Sequence, residues 1–227
     1  MKKTYQNDHC TINLICGDSL EALRGMEENQ YDLAIVDPPY GIDIEQRVFK
    51  DEKKWDILPP ELSYFSKLMI VSNNQIIWGG NYFIDYLKST RCYLTWDKKI
   101  TDSHKLSMTE LAWTSFNTVS KTFYLPPPGH RGFYKIDGDR IHPTQKPVAL
   151  YKWLLKNYTK EGDTILDTHG GSMSIAIACW DMGYSLDLYE IDKDYFKAGV
   201  KRFEDHISKP QLFEPKQMYG SEQLKIQ

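Results

Sequence analysis

The sequence of 227 residues predicts an α/β fold, in which helices flank a mostly parallel sheet. Short runs rich in β-branched residues end at Gly or Asp, and they alternate with longer stretches whose apolar residues recur at helical spacing. Several of the short runs are apolar on both faces, as strands buried between two helix layers are. This alternation is typical of βαβ units. The predicted strands cover 11–18, 31–37, 75–80, 91–97, 110–115, 163–168 and 184–191, and the predicted helices cover 18–25, 60–71, 81–88, 147–158, 172–182 and 192–206.

For four of the predicted strands, the end is predicted by the residue at which the apolar run stops. In chain order, TINLIC stops at Gly17, YDLAIV at Asp37, QIIW at Gly79 and DTIL at Asp167. The last helix opens with DKDYF, whose acidic residues suit the N-terminus of a helix. We expect one domain over 1–207 with inserted loops over 41–60 and 117–147, and a weakly ordered tail over 208–227.

The composition excludes several classes of protein. The formal net charge of −3 does not indicate a polyanion partner, so a nucleic-acid surface must be local. Four cysteines without CxxC spacing predict free thiols in a reducing compartment and no metal site. No run of about 18 apolar residues occurs, so we expect a soluble, cytoplasmic protein with no membrane partner.

The segment GDTILDTHGGSMSIAIACWDMG (162–183) has the layout of a loop that binds a nucleotide-type cofactor. A strand ends at Asp167, a glycine turn follows, and an apolar helix begins near Ser172. Glycines allow close approach of a cofactor, and free amides at a helix start favour a carboxylate. An ordinary strand–helix turn is the alternative. Glu190 ends the next strand and can accept hydrogen bonds from ribose hydroxyls, although Asp192 competes for that role or caps the following helix.

The stretch DPPYG follows the strand over 31–37 and suits recognition of an amine. Two prolines fix the turn, so the carboxylate of Asp37 and the carbonyl of Pro38 become two acceptors in fixed positions. Tyr40 adds an aromatic face. Two acceptors beside a ring suit a planar group that carries an NH2, such as a nucleobase amine. A plain turn at Pro38 and Pro39 is the alternative.

Three motifs in this order, DPPY (37–40), HPTQKP (142–147) and LDTHGGS (166–172), resemble the amino-group DNA methyltransferases of the permuted β group. Members of that family methylate the exocyclic amine of adenine or cytosine with S-adenosylmethionine. The resemblance covers about residues 10–207, and WGGNYF and ELAWTSF are similar to short phage or prophage members. It implies a Rossmann-like methyltransferase fold with a seven-stranded, mostly parallel sheet and a permuted motif order.

The resemblance also implies roles for matching residues. The catalytic set binds the target amine and stacks on a flipped base, and it comprises Asp37, Pro38, Pro39 and Tyr40. In the cofactor set, Asp18 is implied to face the adenine amine of the cofactor and Glu190 to face its ribose. The glycine loop is implied to line the methionine part, and the HPTQKP residues to close the pocket beside the methionine carboxylate. That loop and motif contribute Asp167, Thr168, His169, Gly171, Ser172, Pro143, Thr144 and Lys146. No metal is implied.

One loop residue, Met173, departs from the family pattern, and His169 beside the loop has a separate interpretation. Met173 stands where the family has the second glycine of G-S-G, and its side chain either packs between sheet and helix or crowds the cofactor. His169 is most simply a packed or capping residue.

Double-stranded DNA is the expected partner. The loop over 117–147, in the family's specificity segment, and the loop over 41–60 carry basic residues with interleaved aromatics. A solvated loop is the alternative. The candidate DNA contacts are Arg47, Lys50, Lys53, Lys121, Arg131, Lys135 and Arg140.

Resemblance suggests two further partners, a sliding clamp and a second copy of the chain. The tail phrase KPQLFEP (209–215) resembles peptides that dock on sliding clamps, although packing on its own domain is the simpler interpretation. The permuted family often forms homodimers.

The predicted activity is DNA adenine-N6 methylation, because Asp37 stands where cytosine-N4 relatives more often carry Ser. Cytosine-N4 methylation and a catalytically inactive homologue remain alternatives. A protein glutamine methyltransferase would usually carry Asn at that position.

Overall fold

The computed structural model describes residues 1–42, 59–100, 107–126 and 140–209. The elements are β1 (Lys2–Gln6), β2 (Thr11–Cys16), α1 (Ser19–Arg24), β3 (Tyr31–Val36), α2 (Leu62–Val71), β4 (Ser72–Trp78), β5 (Tyr93–Asp97), β6 (Thr109–Thr114), β7 (Lys121–Tyr124), α3 (Val148–Tyr158), β8 (Thr164–Asp167), α4 (Ser174–Met182), β9 (Ser185–Glu190) and α5 (Lys193–Ile207).

The strands form one sheet in the order β1-β2-β9-β8-β3-β4-β6-β5-β7. The central strands β2, β9, β8, β3 and β4 are all parallel to their neighbours in this run. β1 and β6 pair antiparallel with their neighbours, while β7 runs parallel to β5. The predicted α/β class with a mostly parallel sheet is therefore confirmed.

The core lies on both faces of this sheet. In β3, Leu33 and Ile35 pack into the cluster formed with α3, α4 and α5, whereas Ala34 and Val36 pack into the cluster formed with α1 and α2. Because neighbouring strand residues point to opposite faces, a strand covered on both sides must be apolar throughout. The result is a three-layer arrangement.

The structure corrects three expectations. The described part of the sheet has nine strands, whereas seven were predicted. The two additional strands are β1 and β7. β7 lies inside the segment predicted to be irregular, where it pairs with β5. The helix predicted over 81–88 is wrong: a 3-10 turn covers Gly80–Tyr82, and Leu87 N then donates to Phe83 O in a single isolated turn.

Several predictions fall outside the described residues. They concern most of the 41–60 loop, part of the 117–147 loop and the tail from residue 210 onward. Among the described helices, none is both long enough and apolar enough to cross a membrane.

Candidate active site

Two aspartates stand at the ends of neighbouring strands, where the order of the strands in the sheet reverses. Asp37 directly follows β3 and Asp167 ends β8, and these strands are parallel neighbours with Ala34 opposite Leu166. From β3 the chain continues through α2 to β4 on one side, and from β8 it continues through α4 to β9 on the other. In open α/β sheets, ligands bind in the crevice at the carboxyl ends of strands at this kind of switch point.

A cavity of about 400 Å³ lies in this crevice, and we call it the larger cavity. Its volume is within the range of small-molecule sites. It brings together most of the predicted site residues. Those that line it are Asp18, Asp37, Pro39, Thr144, Lys146, Thr168, His169, Gly171, Ser172 and Glu190.

The glycine loop at one wall of the larger cavity is tightly built. A Cβ on Gly170 would lie 2.2 Å from Cδ2 of Leu188, so only glycine fits there. Gly171 has a φ of +47° and its N–H donates to Glu190 Oε2 at 2.7 Å. Arg202 of α5 supports the loop from behind, donating from Nη1 to Ser172 O at 2.6 Å.

Met173 does not crowd the cavity. It caps α4 in the left-handed conformation, with a φ of 57°, and its side chain is fully buried. A Cβ on Gly199 would lie 2.8 Å from Cγ of Met173, so the methionine side chain runs alongside α5. Of the two orientations considered from the sequence, the structure shows the one between sheet and helix.

Glu190 and Asp192 have different surroundings. Both Glu190 oxygens accept backbone hydrogen bonds at 2.7 Å, from Gly171 N and Asp192 N, which fixes the carboxylate at the end of β9. Asp192 caps α5 by accepting from Asp194 N and Tyr195 N. Asp192 therefore has the capping role that the sequence left open, and Glu190 is the carboxylate held against the glycine loop.

A hydrogen-bonded chain lines another part of the larger cavity. Tyr64 of α2 shares a 2.6 Å hydrogen bond with Thr168 Oγ1, and Thr168 Oγ1 lies 2.9 Å from Nδ1 of His169. Burial lowers the pKa of His169 to about 4, so its imidazole is neutral near pH 7. Asp18 also lines the larger cavity, and it caps α1 by accepting from Leu20 N at 2.8 Å.

Asp167 is buried just behind the loop. Its Oδ1 accepts from His169 N at 2.9 Å. Burial raises its pKa to about 8, and the charges of Asp37 and Glu190 add to this shift. Asp167 does not itself line the larger cavity, so its contact with the site passes through the loop backbone.

The DPPY turn is held by three contacts. Tyr40 donates from its hydroxyl to Asp37 Oδ1 at 2.6 Å, and its ring stacks on Tyr82 with centroids 4.9 Å apart. A Cβ on Gly79 would lie 2.2 Å from Cε1 of Tyr40, so the ring fits only beside glycine. The packed ring holds the Tyr40 hydroxyl in place, and the hydroxyl orients the Asp37 carboxylate. Tyr82, the other ring of the stacked pair, is 46% exposed.

A second cavity, of about 220 Å³, lies beside the first, and we call it the smaller cavity. Tyr40, Tyr82 and Trp96 contribute aromatic walls, and Lys98, Glu110 and Arg140 contribute charged groups. Pro143 of HPTQKP lines it, while Thr144, Gln145 and Lys146 line both cavities. HPTQKP therefore forms the partition between them.

Lys146 makes contacts that the sequence did not predict. Its Nζ lies 2.5 Å from Asp37 Oδ2 and 3.0 Å from Glu110 Oε2. Glu110 in turn pairs with Lys98 at 2.7 Å. An acid in the otherwise apolar run of ELAW was a signal that this strand contains a paired charge, because unpaired charges are not buried.

Gln145 was also missed. Its side-chain oxygen accepts from Ile141 N at 3.0 Å, which fixes the orientation of the amide. Its Nε2 is buried and has no hydrogen-bond partner among the described residues.

The predicted DNA contacts are divided. Arg140 lines the smaller cavity. Lys121 lines neither cavity and donates to Asn157 Oδ1 at the far end of α3. Arg47, Lys50, Lys53, Arg131 and Lys135 lie outside the described residues.

Comparisons with known proteins agree on one kind of enzyme. Residues 95–201 match a family model described as DNA methylase, for N6 and N4 methylation. The chain is 25% identical over 240 residues to the type II methyltransferase M.HpaI of Haemophilus parainfluenzae, covering 86% of this chain and 75% of that protein.

Two solved structures share its fold. The M1.HpyAVI–SAM complex has a TM-score of 0.56 at 22% identity, covering 84% of this chain and 99% of that one. The cytosine-N4-specific PvuII DNA methyltransferase has a TM-score of 0.61 at 13% identity, covering 91% and 89%. At such low identities, the TM-scores show a shared fold and no more.

Proposed function

Because the chain belongs to the amino-group DNA methyltransferases, we propose that it transfers a methyl group from S-adenosylmethionine to the exocyclic amine of adenine in double-stranded DNA. The observation that carries the proposal is the position of Asp37. Its carboxylate lines the larger cavity, and its ion-pair partner Lys146 lines both cavities. An acceptor for the amine therefore lies where a cofactor and a base can meet.

The residues of the larger cavity fit S-adenosylmethionine. The tight approach at Gly170 and the fixed Glu190 carboxylate give a cradle with an acceptor for ribose hydroxyls. Asp18 also lines this cavity and would accept from the adenine amine, and the start of α4 suits a carboxylate. Met173 leaves this space open.

When bound, S-adenosylmethionine supplies a methyl carbon that accepts the lone pair of the amine while the carbon–sulfur bond breaks and its electrons stay on sulfur. The protein's own groups do the remaining work. Asp37 and the Pro38 carbonyl accept the two N–H bonds of the amine and so direct its lone pair. Burial, together with the charge of Glu110, raises the pKa of Asp37 despite the Lys146 ammonium, which makes the carboxylate a better acceptor for the departing proton.

The smaller cavity suits the target base. Its walls of Tyr40, Tyr82 and Trp96 can contact a planar ring, and Arg140 at its lining can contact DNA phosphate. A base reaches it only after leaving the duplex, which costs a few kcal/mol of stacking and pairing. Phosphate contacts offset that cost, so binding should weaken strongly with added salt.

Adenine is favoured by Asp37, since cytosine-N4 members of the family more often carry Ser at this position. Cytosine-N4 methylation is the second candidate. The fold shared with the cytosine-N4-specific PvuII enzyme supports it, and both bases present the same kind of exocyclic amine.

The test is transfer of labelled methyl from S-adenosylmethionine to unmethylated bacterial DNA, followed by nucleoside analysis. Wild-type protein should make N6-methyladenine, and Asp37→Ala should make none while still binding the cofactor. N4-methylcytosine as the product would select the second candidate. Intact cofactor binding with no transfer to any DNA would favour an inactive homologue.

A further inference from the structure

A chain of four charged side chains connects the smaller cavity to Asp37. Lys98 Nζ lies 2.7 Å from Glu110 Oε1, Glu110 Oε2 lies 3.0 Å from Lys146 Nζ, and Lys146 Nζ lies 2.5 Å from Asp37 Oδ2. The side chain of Lys146 is only 2% exposed, and that of Lys98 is 8% exposed. The signs alternate along the chain, so the four charges sum to zero.

Burying this row of charged side chains lowers the stability of the protein, and the fold alone does not explain why the charges are there. Removing charged groups from water is expensive, and well-packed apolar residues often replace a buried ion pair without loss of stability. Here the chain ends on the carboxylate proposed to accept the target amine. Its position indicates a part in the chemistry.

Two opposing effects act on Asp37. The Lys146 ammonium favours the ionised carboxylate and fixes the position of Oδ2. The same ammonium also occupies lone pairs and weakens the carboxylate as an acceptor for a neutral amine. Glu110 moderates this effect, because its own carboxylate competes for Lys146 at 3.0 Å.

We propose that Lys146 and Glu110 are positioning residues that together set how strongly Asp37 accepts the target amine, an inference that rests on the proposed function. Lys146 keeps the carboxylate ionised and oriented. Glu110 draws part of the ammonium's attraction away from Asp37, and Lys98 balances the charge of Glu110.

The ionisable groups around Asp37 agree with this division. Although burial by itself raises the pKa of Glu110, Lys146 and Lys98 lower it to about 2, so Glu110 stays anionic. Burial opposes the charged form of Lys146, yet the two carboxylates raise its pKa, so it stays cationic. The groups that face Asp37 are Tyr40 of its own turn, Tyr64 of α2, Glu110 of β6, Lys146, Tyr151 of α3 and Asp167 of β8.

The decisive variants are Lys146→Met and Glu110→Gln, because they should move Asp37 in opposite directions. Loss of the ammonium should raise the pKa of Asp37, and loss of the competing carboxylate should lower it. Activity requires ionised Asp37, so the acid limb of the kcat profile should move to higher pH in Lys146→Met and to lower pH in Glu110→Gln. The matched controls are Lys3→Met and Glu204→Gln, which alter an exposed ion pair of 2.8 Å.

Two readouts are needed. The first is kcat for methyl transfer against pH at saturating substrates. The second is a carbon-13 NMR titration of labelled aspartate carboxyls, with the Asp37 signal assigned from Asp37→Asn. The NMR titration needs no turnover. If the wild-type protein methylates no DNA, the proposed function fails, but the titration still tests this inference.

Opposite shifts, absent from the controls, would support the proposal. Shifts in one direction for both variants, or shifts no larger than those of the controls, would overturn it. Circular dichroism checks folding, and if Lys146→Met does not fold, the sign of the Glu110→Gln shift decides alone.

Discussion

Gly199 of α5 provides the space that the buried side chain of Met173 fills. A Cβ at position 199 would lie 2.8 Å from Cγ and 3.0 Å from Sδ of Met173, and 3.2 Å from the carbonyl oxygen of Gly171. A position on α5 that does not itself line the larger cavity therefore sets the room available to the glycine loop.

Gly199→Ala should destabilise the protein and weaken cofactor binding, because Met173 must move and the loop must move with it. Overpacking of this kind costs about 1–3 kcal/mol. Chemical denaturation and calorimetry with S-adenosylmethionine would measure both effects. Combining Gly199→Ala with Met173→Ala should cost less than the sum of the two single changes, and simple additivity would show that the residues do not interact.

Met173→Gly should reduce stability although it restores the glycine typical of the family. The change relieves roughly 1 kcal/mol of left-handed strain, but loss of a large buried side chain costs about 2–5 kcal/mol. Cofactor affinity should change little, since Met173 does not line the larger cavity. A gain in affinity above tenfold would mean that the methionine crowds the cofactor after all.

Glu190→Ala and Asp192→Ala should separate binding from capping. Loss of a hydrogen bond to a charged group costs about 1.5–3 kcal/mol, so Glu190→Ala should weaken S-adenosylmethionine binding roughly 10- to 100-fold. Asp192→Ala removes the cap of α5 and should cost about 1 kcal/mol of stability with little effect on affinity. The reverse pattern would assign the ribose to Asp192.

The stability of the protein should depend on pH through Asp167. Its pKa is about 8 in the folded state and near the ordinary 3.8 in the unfolded state. Below the lower value both states are protonated; between the two values only the unfolded state gains from ionising, so Asp167 destabilises the fold increasingly up to about pH 8. Each unit of pKa shift corresponds to about 1.4 kcal/mol.

Asp167→Asn should therefore gain stability relative to wild type as the pH rises from 4 to 8, while keeping the oxygen that accepts from His169 N. Denaturation at several pH values measures the difference. Asp205→Asn, on an exposed side chain of α5, is the control. A difference that is constant across this pH range would rule out the shifted pKa.

Tyr82→Ala should weaken productive DNA binding. Stacking of a base on an aromatic ring contributes about 1–3 kcal/mol, which predicts a rise in KM for DNA of roughly 5- to 100-fold. Tyr82→Phe keeps the ring and should behave like wild type. Tyr86→Ala is the matched control, because Tyr86 is also exposed but stacks on Phe65 and does not line the smaller cavity. Equal effects of Tyr82→Ala and Tyr86→Ala would exclude specific stacking.

The strand ends could be predicted from the sequence because their signals are local. Asp37, Asp167 and Glu190 each follow an apolar run, and in a parallel sheet such ends share one edge. The motif order added the neighbouring segment HPTQKP. Most of the residues proposed to bind the cofactor or the base could thus be named before the structure.

The errors have physical causes too. β1 reads KKTYQ and β7 reads KTFY, both at the sheet edges, where one face is solvated and the apolar signal is weak. Phe83 and Leu87 are spaced four apart and both are buried, which imitates a helix although only one turn forms. The contact between Glu110 and Lys146 joins residues far apart in sequence, and no local pattern specifies it.

The side chain of Tyr40 determines which residue position 79 can hold. With its φ of 70° and its place against the tyrosine ring, position 79 has no room for even a methyl group while Tyr40 is present. In a saturation library, every substitution at position 79 should therefore be scored as a loss of the DPPY turn. In a Tyr40→Ala background, position 79 should tolerate Asn, which adopts left-handed backbone more readily than other side chains, but with the turn already impaired. Selection for methylation should therefore conserve both Tyr40 and Gly79, although glycine has no side chain that could take part in the reaction.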